Sequence, residues 1–522
     1  MDVSDQSATI AFLSTPQAWG LPQDVKVERI DTHGAAVFLV GERVYKLKRA
    51  VSFPFMDFST LERRRRFCAD EVRLNRRTAP RLYLGLVPVL RDGATLALGA
   101  MRENADDDSA VDWLVAMRRF DQEALLARLA ERGALPAELI GRLAETVATF
   151  HAGAPPEPGH GGAAVLAHTV KMDTEQMIAR GDLLDPGLSA ELAELMPAEA
   201  ARVAAAADRR RACGAVRRCH GDLHLKNIYL DGETPAPFDG IEFNDRLSCI
   251  DTLYDLSFLL MDLDFRGLRG HANLALNRYL WHSAEKDQEL LAGLALLRIY
   301  LARRAAIRAH VDAAGVPHMR NRAEAARQRE QARAYQRYAR ALFAPSPPLL
   351  VCVGGLSGTG KTTLAMALAP DLVPTPGAVV LRSDVTRKRM AGVALDRRMP
   401  AGWYTKENAA SVYDELHRLA RIALDAGRSV VLDGVYARAA ERAAAADVAR
   451  QAGVRFVGLW LEAPKALLRR RVEQRRGDAS DATVDVVERQ ASYDIGALDW
   501  RRLDAAAGIE TIVASARAAL GD

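Results

Sequence analysis

The chain has 522 residues, of which 49% are hydrophobic and 26% charged, with a formal net charge of +4. That apolar content excludes an extensively disordered chain, the length implies several cores at about 100–200 residues per domain, and so small a charge gives no argument for nucleic acid or a membrane surface as partner. No apolar stretch approaches the ~18–20 residues needed to span a bilayer, the acidic start Met1-Asp2-Val3-Ser4-Asp5 lacks the form of a signal peptide, and Cys68, Cys213, Cys219, Cys249 and Cys352 show neither a paired framework nor metal spacing; a cytoplasmic chain with reduced thiols is expected.

In chain order, Ala36 to Val40 and Val44 to Lys48 read as paired strands around Gly41-Glu42-Arg43, and period-two alternation places Val44, Lys46 and Lys48 on one face. Ser59-Thr60-Leu61-Glu62 reads as a capping box opening a helix. Along that helix Glu71 lies among Phe67, Cys68, Leu74 and Asn75 at helical spacing, on the face that packs inward, where a carboxylate needs a partner. The run HGDLHLKN at His220 to Asn227 has the form His-x-Asp-x-x-x-x-Asn; in the kinase arrangement such an Asp orients the acceptor hydroxyl and such an Asn holds magnesium. Ile228 to Leu230 then reads as a strand, Asp231-Gly232 as a turn and Pro237-Phe238 as returning chain, so that a hairpin brings Asp239 beside Asn227 as a second oxygen ligand for one hard cation.

These residues resemble the aminoglycoside phosphotransferase and choline kinase group of protein-kinase-like enzymes. The resemblance implies a bilobal α+β domain with Asp222 as catalytic carboxylate, Asn227 and Asp239 as magnesium ligands, and a strand lysine paired with a helix glutamate. Either Lys46 or Lys48 could reach phosphate; Val44-Tyr45-Lys46 better matches the Val-Ala-Ile-Lys pattern, which favours Lys46 with Glu71 as its partner. Asp251-Thr-Leu-Tyr-Asp255-Leu256 has the spacing of the group's Asp-Pro-x-x-Asp-Leu segment, with Thr252 in place of proline, which implies that Asp255 braces the catalytic loop. Where a Gly-rich phosphate loop is expected, Asp31-Thr32-His33-Gly34 offers one glycine, so nucleotide clamping there is expected to differ.

Ala/Arg-rich helical patterns run from about Asp287 to Leu342; the mixed charge of Arg298 to Arg340 reads as a solvated face rather than an RNA-binding one. They end at Ala344-Pro345-Ser346-Pro347-Pro348, a stiff connector, which divides the chain into an expected kinase-like domain at 1–343 and a second domain at 349–522. Immediately after the connector, Leu349 to Val353 reads as a buried strand, and GLSGTGKT at Gly355 to Thr362 is the full P-loop pattern before a helix from Thr363. Gly355, Ser357, Gly358, Thr359 and Gly360 would cradle phosphate with their backbone, Lys361 would reach the β/γ-phosphates, and Thr362 would ligate magnesium, with Thr363 following in the helix.

Further strands are expected at Val379 to Leu381, Ser429 to Leu432, Phe456 to Leu461 and Ile509 to Val513, alternating with helices, which implies an α/β domain with a mainly parallel sheet and ligands at the strand ends. There Asp433 looks like a Walker-B-type acid that orders magnesium. Asp384 and Arg387 resemble the Asp-x-x-Arg acceptor site of small-molecule P-loop kinases such as the adenylylsulfate kinase and gluconate kinase groups; that implies Asp384 as the base for the acceptor hydroxyl and Arg387 as the holder of an acidic group, while Asp384 also reads as a helix N-cap. Arg471 and Arg475, on a helix from Pro464 to Arg476 ahead of Gly477 to Asp481, resemble the arginine-bearing lid of the adenylate-kinase-like group.

Together these readings describe a tandem kinase that uses ATP and Mg2+ to phosphorylate hydroxyls of small molecules. Two alternatives stay open: a polynucleotide or RNA-end kinase, and a regulatory ATPase in which one kinase-like domain only binds nucleotide. No feature of the sequence sets the oligomeric state.

Overall fold

The computed structural model describes residues 5–93, 95–474 and 480–521. The chain divides into two compact units, one of Met1–Thr146, Gly153–His160 and Val216–Asp255, the other of Val147–Ala152, Gly161–Ala215 and Leu256–Asp522. The Pro-rich segment 344–348 falls inside the second.

The first unit is built on an antiparallel sheet of six strands, β1 (Glu28–Asp31), β2 (Ala35–Val40), β3 (Arg43–Lys48), β4 (Tyr83–Asp92), β5 (Thr95–Leu98) and β6 (Ala110–Arg118), in the order β1-β2-β3-β6-β4-β5. Strands β2 and β3 join through Gly41-Glu42, and Gly41 takes the positive φ of +55° that a two-residue hairpin requires. Alternation divides the core between the two faces. Phe38, Tyr45, Leu47, Leu114 and Ala116 pack on one; Trp113, Val115 and Leu86 pack on the other with Cys68 and Val72 of helix α1 (Leu61–Asn75).

The cap of α1 lies one residue later than the sequence pattern suggests. Asp57 accepts from the Ser59 hydroxyl at 2.6 Å, and Thr60 is left to cap the helix by accepting from the Arg63 amide at 3.3 Å. Glu62 sits in the first turn, where a carboxylate complements the helix dipole. Thr60→Ala is expected to cost about 1 kcal/mol, measurable by thermal unfolding. Later in the unit, strands β7 (Ile228–Asp231) and β8 (Thr234–Pro237) form the expected hairpin. The first unit thus carries the α+β protein-kinase-like fold.

In the second unit, helix α2 (Arg269–His282) precedes a five-stranded parallel sheet: β9 (Leu349–Gly355), β10 (Val379–Arg382), β11 (Val430–Asp433), β12 (Arg455–Glu462) and β13 (Arg501–Asp504), in the order β10-β11-β9-β12-β13. Helix α3 (Lys361–Leu368) leaves the P-loop, α4 (Ser383–Met390) follows β10, and α5 (Lys465–Gln474) and α6 (Val484–Gln490) follow β12. Val351, Val353, Val380, Val431, Leu459 and Leu461 form the buried middle of the sheet. This is the α/β P-loop fold.

The last expected strand is wrong. Ile509 to Val513 opens helix α7 (Ile509–Gly521), in which Ile512, Val513 and Ala516 are buried at helical spacing. The fifth strand is β13, where only Leu503 is buried, so an edge strand of charged residues carries no apolar signal.

Candidate functional site

In the first unit, β3 and α1 bring Lys46, Lys48 and Glu71 together. Lys46 Nζ lies 2.9 Å from one Glu71 oxygen and Lys48 Nζ 2.5 Å from the other. Each lysine has a second carboxylate, Asp239 Oδ1 at 2.7 Å for Lys46 and Glu242 for Lys48. Lys48, Glu71 and Glu242 are buried, whereas Asp239 is exposed along 47% of its side chain, so Lys46 is the lysine that opens toward solvent and ligand. Burial opposes ionisation throughout. The two lysines nevertheless hold the Glu71 carboxyl down at about 2, while burial pushes Glu242 up to about 7 against the pull of Lys48.

The turn after β8 is clamped by Asn75 of α1, which accepts from the Gly240 amide at 2.7 Å and donates to the Gly240 carbonyl at 3.3 Å. Asp239 takes a positive φ of +59°, and its amide donates to the Tyr83 hydroxyl at 3.1 Å. The Phe238 amide donates to the Asn227 carbonyl at 2.9 Å, which sets Asp239 one residue from Asn227 across the hairpin. Asn227 Nδ2 in turn donates to the Asp222 carboxylate at 2.8 Å and to its carbonyl at 3.0 Å.

Asp255 fixes the loop from beneath, its two oxygens accepting from the His220 and Gly221 amides at 3.0 and 2.8 Å. The His220 ring accepts from the Asp222 amide at 3.3 Å and therefore donates its other N–H to the Phe238 carbonyl at 2.9 Å. Burial lowers its pKa, so the ring stays neutral and serves as a strut. Asp222, Asn227 and Asp239 present a carboxylate, an amide and a second carboxylate, an oxygen donor set suited to a hard cation beside a base.

In the second unit the P-loop leaves β9 with Gly355, Gly358 and Gly360 at φ of +141°, +85° and +89°. A side chain at Gly355 would stand 2.7 Å from the Leu461 carbonyl, and one at Gly358 2.7 Å from the Leu468 carbonyl, so both positions are closed to any larger residue. Thr359 Oγ1 donates back to the Leu356 carbonyl at 2.7 Å, and Lys361 Nζ reaches the same carbonyl at 3.0 Å. Thr362 Oγ1 donates to Asp433 Oδ2 at 2.5 Å, and Thr363 is exposed one residue further along α3. The hydroxyl from the first turn of α3 and the carboxylate at the end of β11 again make an oxygen pair for a hard cation. Burial raises the Asp433 carboxyl against the opposing charges of Arg382 and Lys361.

Asp384 is the second residue of α4 rather than its N-cap, a position taken by Arg382. Its carboxylate pairs with Arg387 at 2.6 Å. Burial opposes ionisation, yet Arg387 and Arg382 together keep its carboxyl below the usual range, so it is a carboxylate at neutral pH. The Arg387 guanidinium also lies 5.5 Å from the centre of the Tyr404 ring.

Residues 350–493 match the AAA domain family. Over 503 residues the chain is 31% identical to an uncharacterized protein of Mycobacterium tuberculosis, across 93% of this chain and 94% of that one, and equally to an uncharacterized protein of Mycobacterium bovis. The chain belongs to their family. Among solved structures, this chain is similar to a choline/ethanolamine kinase family protein from Mesorhizobium loti (14% identity, 65% of this chain and 95% of that one, TM-score 0.38). It is also similar to the APS kinase of Mycobacterium tuberculosis in complex with AMPPNP and APS (21%, 34% and 100%, TM-score 0.28) and to a sugar kinase from Janibacter sp. (24%, 34% and 95%, TM-score 0.27).

Within the AAA domain, Arg471 lies in the last turn of α5, and Arg475 is outside the described residues. The same region holds a contact with no linear signature: Gln490, at the end of α6, accepts from the Ser357 amide at 2.7 Å and so supports the P-loop from behind. Sequence reasoning missed Gln490, Lys48 as a full partner of Glu71, and Glu242. Lys48 left a trace on the strand face it shares with Lys46, and Glu242 left one as an acid three residues after Asp239 on the same turn. No described helix is long and apolar enough to cross a membrane.

Proposed function

We propose that the chain is an ATP-dependent tandem phosphotransferase that moves the γ-phosphoryl group to hydroxyls of small molecules, with a kinase-like domain at 1–343 and a P-loop kinase domain at 349–522 joined by residues 344–348. The observation that carries this reading is the Asp384 carboxylate, paired with Arg387 in the first turn of α4 directly after β10, one strand from the Asp433–Thr362 pair at the P-loop. A nucleotide switch has no use for a second carboxylate held charged beside its metal residues; an enzyme that must accept a hydroxyl proton does.

In the first domain Asp222 accepts or orients the acceptor hydroxyl proton, held for it by Asn227 and by the His220 strut. Lys46, kept in place by Glu71, steadies the phosphates of ATP. In the second, the P-loop backbone and Lys361 hold the phosphates, Asp384 takes the hydroxyl proton, and Arg387 receives an acidic group of the acceptor. Asn227 with Asp239, and Thr362 with Asp433, would hold magnesium. Once bound, that ion neutralises charge on the phosphoryl oxygens during transfer. Arg471 adds positive charge at the phosphates, and the setting is cytoplasmic.

The test is to incubate the unsubstituted chain, Asp222→Ala and Lys361→Ala with magnesium and γ-labelled ATP against a pooled metabolite extract, following labelled products and free phosphate. Each substitution is expected to remove a different labelled metabolite. Label found only as phosphate, stopped by Lys361→Ala alone, would show that the first domain transfers nothing; label on the ends of added oligonucleotides would replace small molecules by a polynucleotide acceptor.

A further inference from the structure

Strand β10 is the outer strand of the parallel sheet, and the backbone on its open side is met by side chains of α2. Asn277 acts as a strand would, its Oδ1 accepting from the Val380 amide at 2.7 Å and its Nδ2 donating to the Ala378 carbonyl at 3.1 Å. Asn273 donates to the same carbonyl at 3.0 Å, and Trp281 Nε1 donates to the Val380 carbonyl at 2.9 Å. Residues 273, 277 and 281 are spaced by four and lie on one face of α2; all three are buried.

The Trp281 ring does more than close the edge. The guanidinium of Arg382, the last residue of β10, lies 5.3 Å from its centre, and Arg382 Nε reaches 3.5 Å from Asp433 Oδ2, the oxygen that accepts from Thr362. Both side chains are 7% exposed, so neither has solvent into which to swing. An arginine suits this place because its planar, permanently charged group can stack on indole with one side and meet a carboxylate with its edge.

We propose that Arg382, seated on Trp281, is a positioning residue for the carboxylate that takes magnesium at the P-loop, and that α2 is therefore part of the scaffold of that site. The proposal rests on the reading of the P-loop as a magnesium–nucleotide site and adds two residues, one of them outside the matched AAA domain, that no P-loop motif contains.

The measurement is the Kd of a fluorescent ATP analogue for the full chain, in magnesium and in EDTA. The P-loop component is defined as the binding lost in Lys361→Ala. Arg382→Met is expected to shrink the magnesium-dependent gain in affinity about tenfold, at the lower end of the ~10–100-fold seen when a partner that orients a metal ligand is removed, while the affinity in EDTA stays within about twofold. Arg382→Lys, which keeps the charge and loses the plane, recovers part of the gain. Trp281→Leu lowers it in the same direction, and Trp281→Phe, which keeps a ring beneath the guanidinium, preserves it. An unchanged gain in Arg382→Met overturns the proposal, as does an equal loss in magnesium and EDTA accompanied by a lower Tm, which would make Arg382 a packing residue only. If the unsubstituted chain shows no Lys361-dependent binding, the P-loop reading itself falls and the proposal with it.

Discussion

Glu71→Ala is expected to destabilise the first unit by about 3–5 kcal/mol, the cost of removing one partner from a buried ion pair. Glu71 is fully buried and its two oxygens each serve one lysine. Without it Lys48, whose side chain is 2% exposed, keeps only Glu242, and Lys46 keeps only the half-exposed Asp239. At about 2–4 °C per kcal/mol for a unit of this size, Tm is expected to fall by roughly 6–20 °C. The pH dependence has a definite sign. Glu71 is held at about 2 in the folded chain against 4.5 as its ordinary value, so its contribution is fully present above about pH 4.5 and is lost as pH falls toward 2. The triple substitution Glu71→Leu, Lys48→Met and Glu242→Leu is expected to cost less than Glu71→Ala alone, because the buried charges go together and Lys46 keeps Asp239. A loss below about 1 kcal/mol for Glu71→Ala would mean that Glu242 and Asp239 suffice for both lysines.

The contrast between what the sequence shows and what it hides follows the distance over which each feature is encoded. Lys46, Lys48 and Glu71 were legible because strand and helix periodicity are local and both point those residues inward. The P-loop was legible because phosphate binding by backbone demands glycine at fixed offsets, and the conformations of Gly355, Gly358 and Gly360 show why. Glu242, Gln490, Arg382 and Trp281 act through contacts across the fold. The Trp281–Val380 bond spans 99 residues and the Gln490–Ser357 bond 133, so no window of sequence contains either. The error at Ile509 to Val513 has another cause. Five residues with three β-branched apolar side chains fit either period, and only the burial of Ala516 one turn further on favours the helix. Ser59 misled for a local reason, since its hydroxyl was already engaged by Asp57 and the cap passed to Thr60.

Gly358→Ala is expected to remove nucleotide binding at the P-loop, whereas Gly360→Ala weakens it without abolishing it. The two glycines share the same backbone region, at φ of +85° and +89°, and each alanine incurs a conformational cost of about 1–2 kcal/mol there. Their surroundings differ. At Gly360 an added Cβ meets nothing within 4 Å, so the conformational cost is the whole effect. At Gly358 it would stand 2.7 Å from the Leu468 carbonyl oxygen and 3.1 Å from the Leu468 Cα, backbone atoms of α5 that no rotamer change can move aside. Relieving that overlap costs about 1–3 kcal/mol more and must displace either the P-loop or α5, which packs through Leu468 and Val472 against Val487 and Leu356. The summed penalty of about 2–5 kcal/mol, if taken wholly by the loop that must cradle phosphate, corresponds to roughly 30- to 4,000-fold in affinity at 1.4 kcal/mol per factor of ten. Titration of each variant with a fluorescent ATP analogue, beside Lys361→Ala and with Tm measured in parallel, checks the ordering. Equal losses for the two alanines would mean that α5 yields freely to the added methyl, and that the close approach of Leu468 to Gly358 does not constrain the loop.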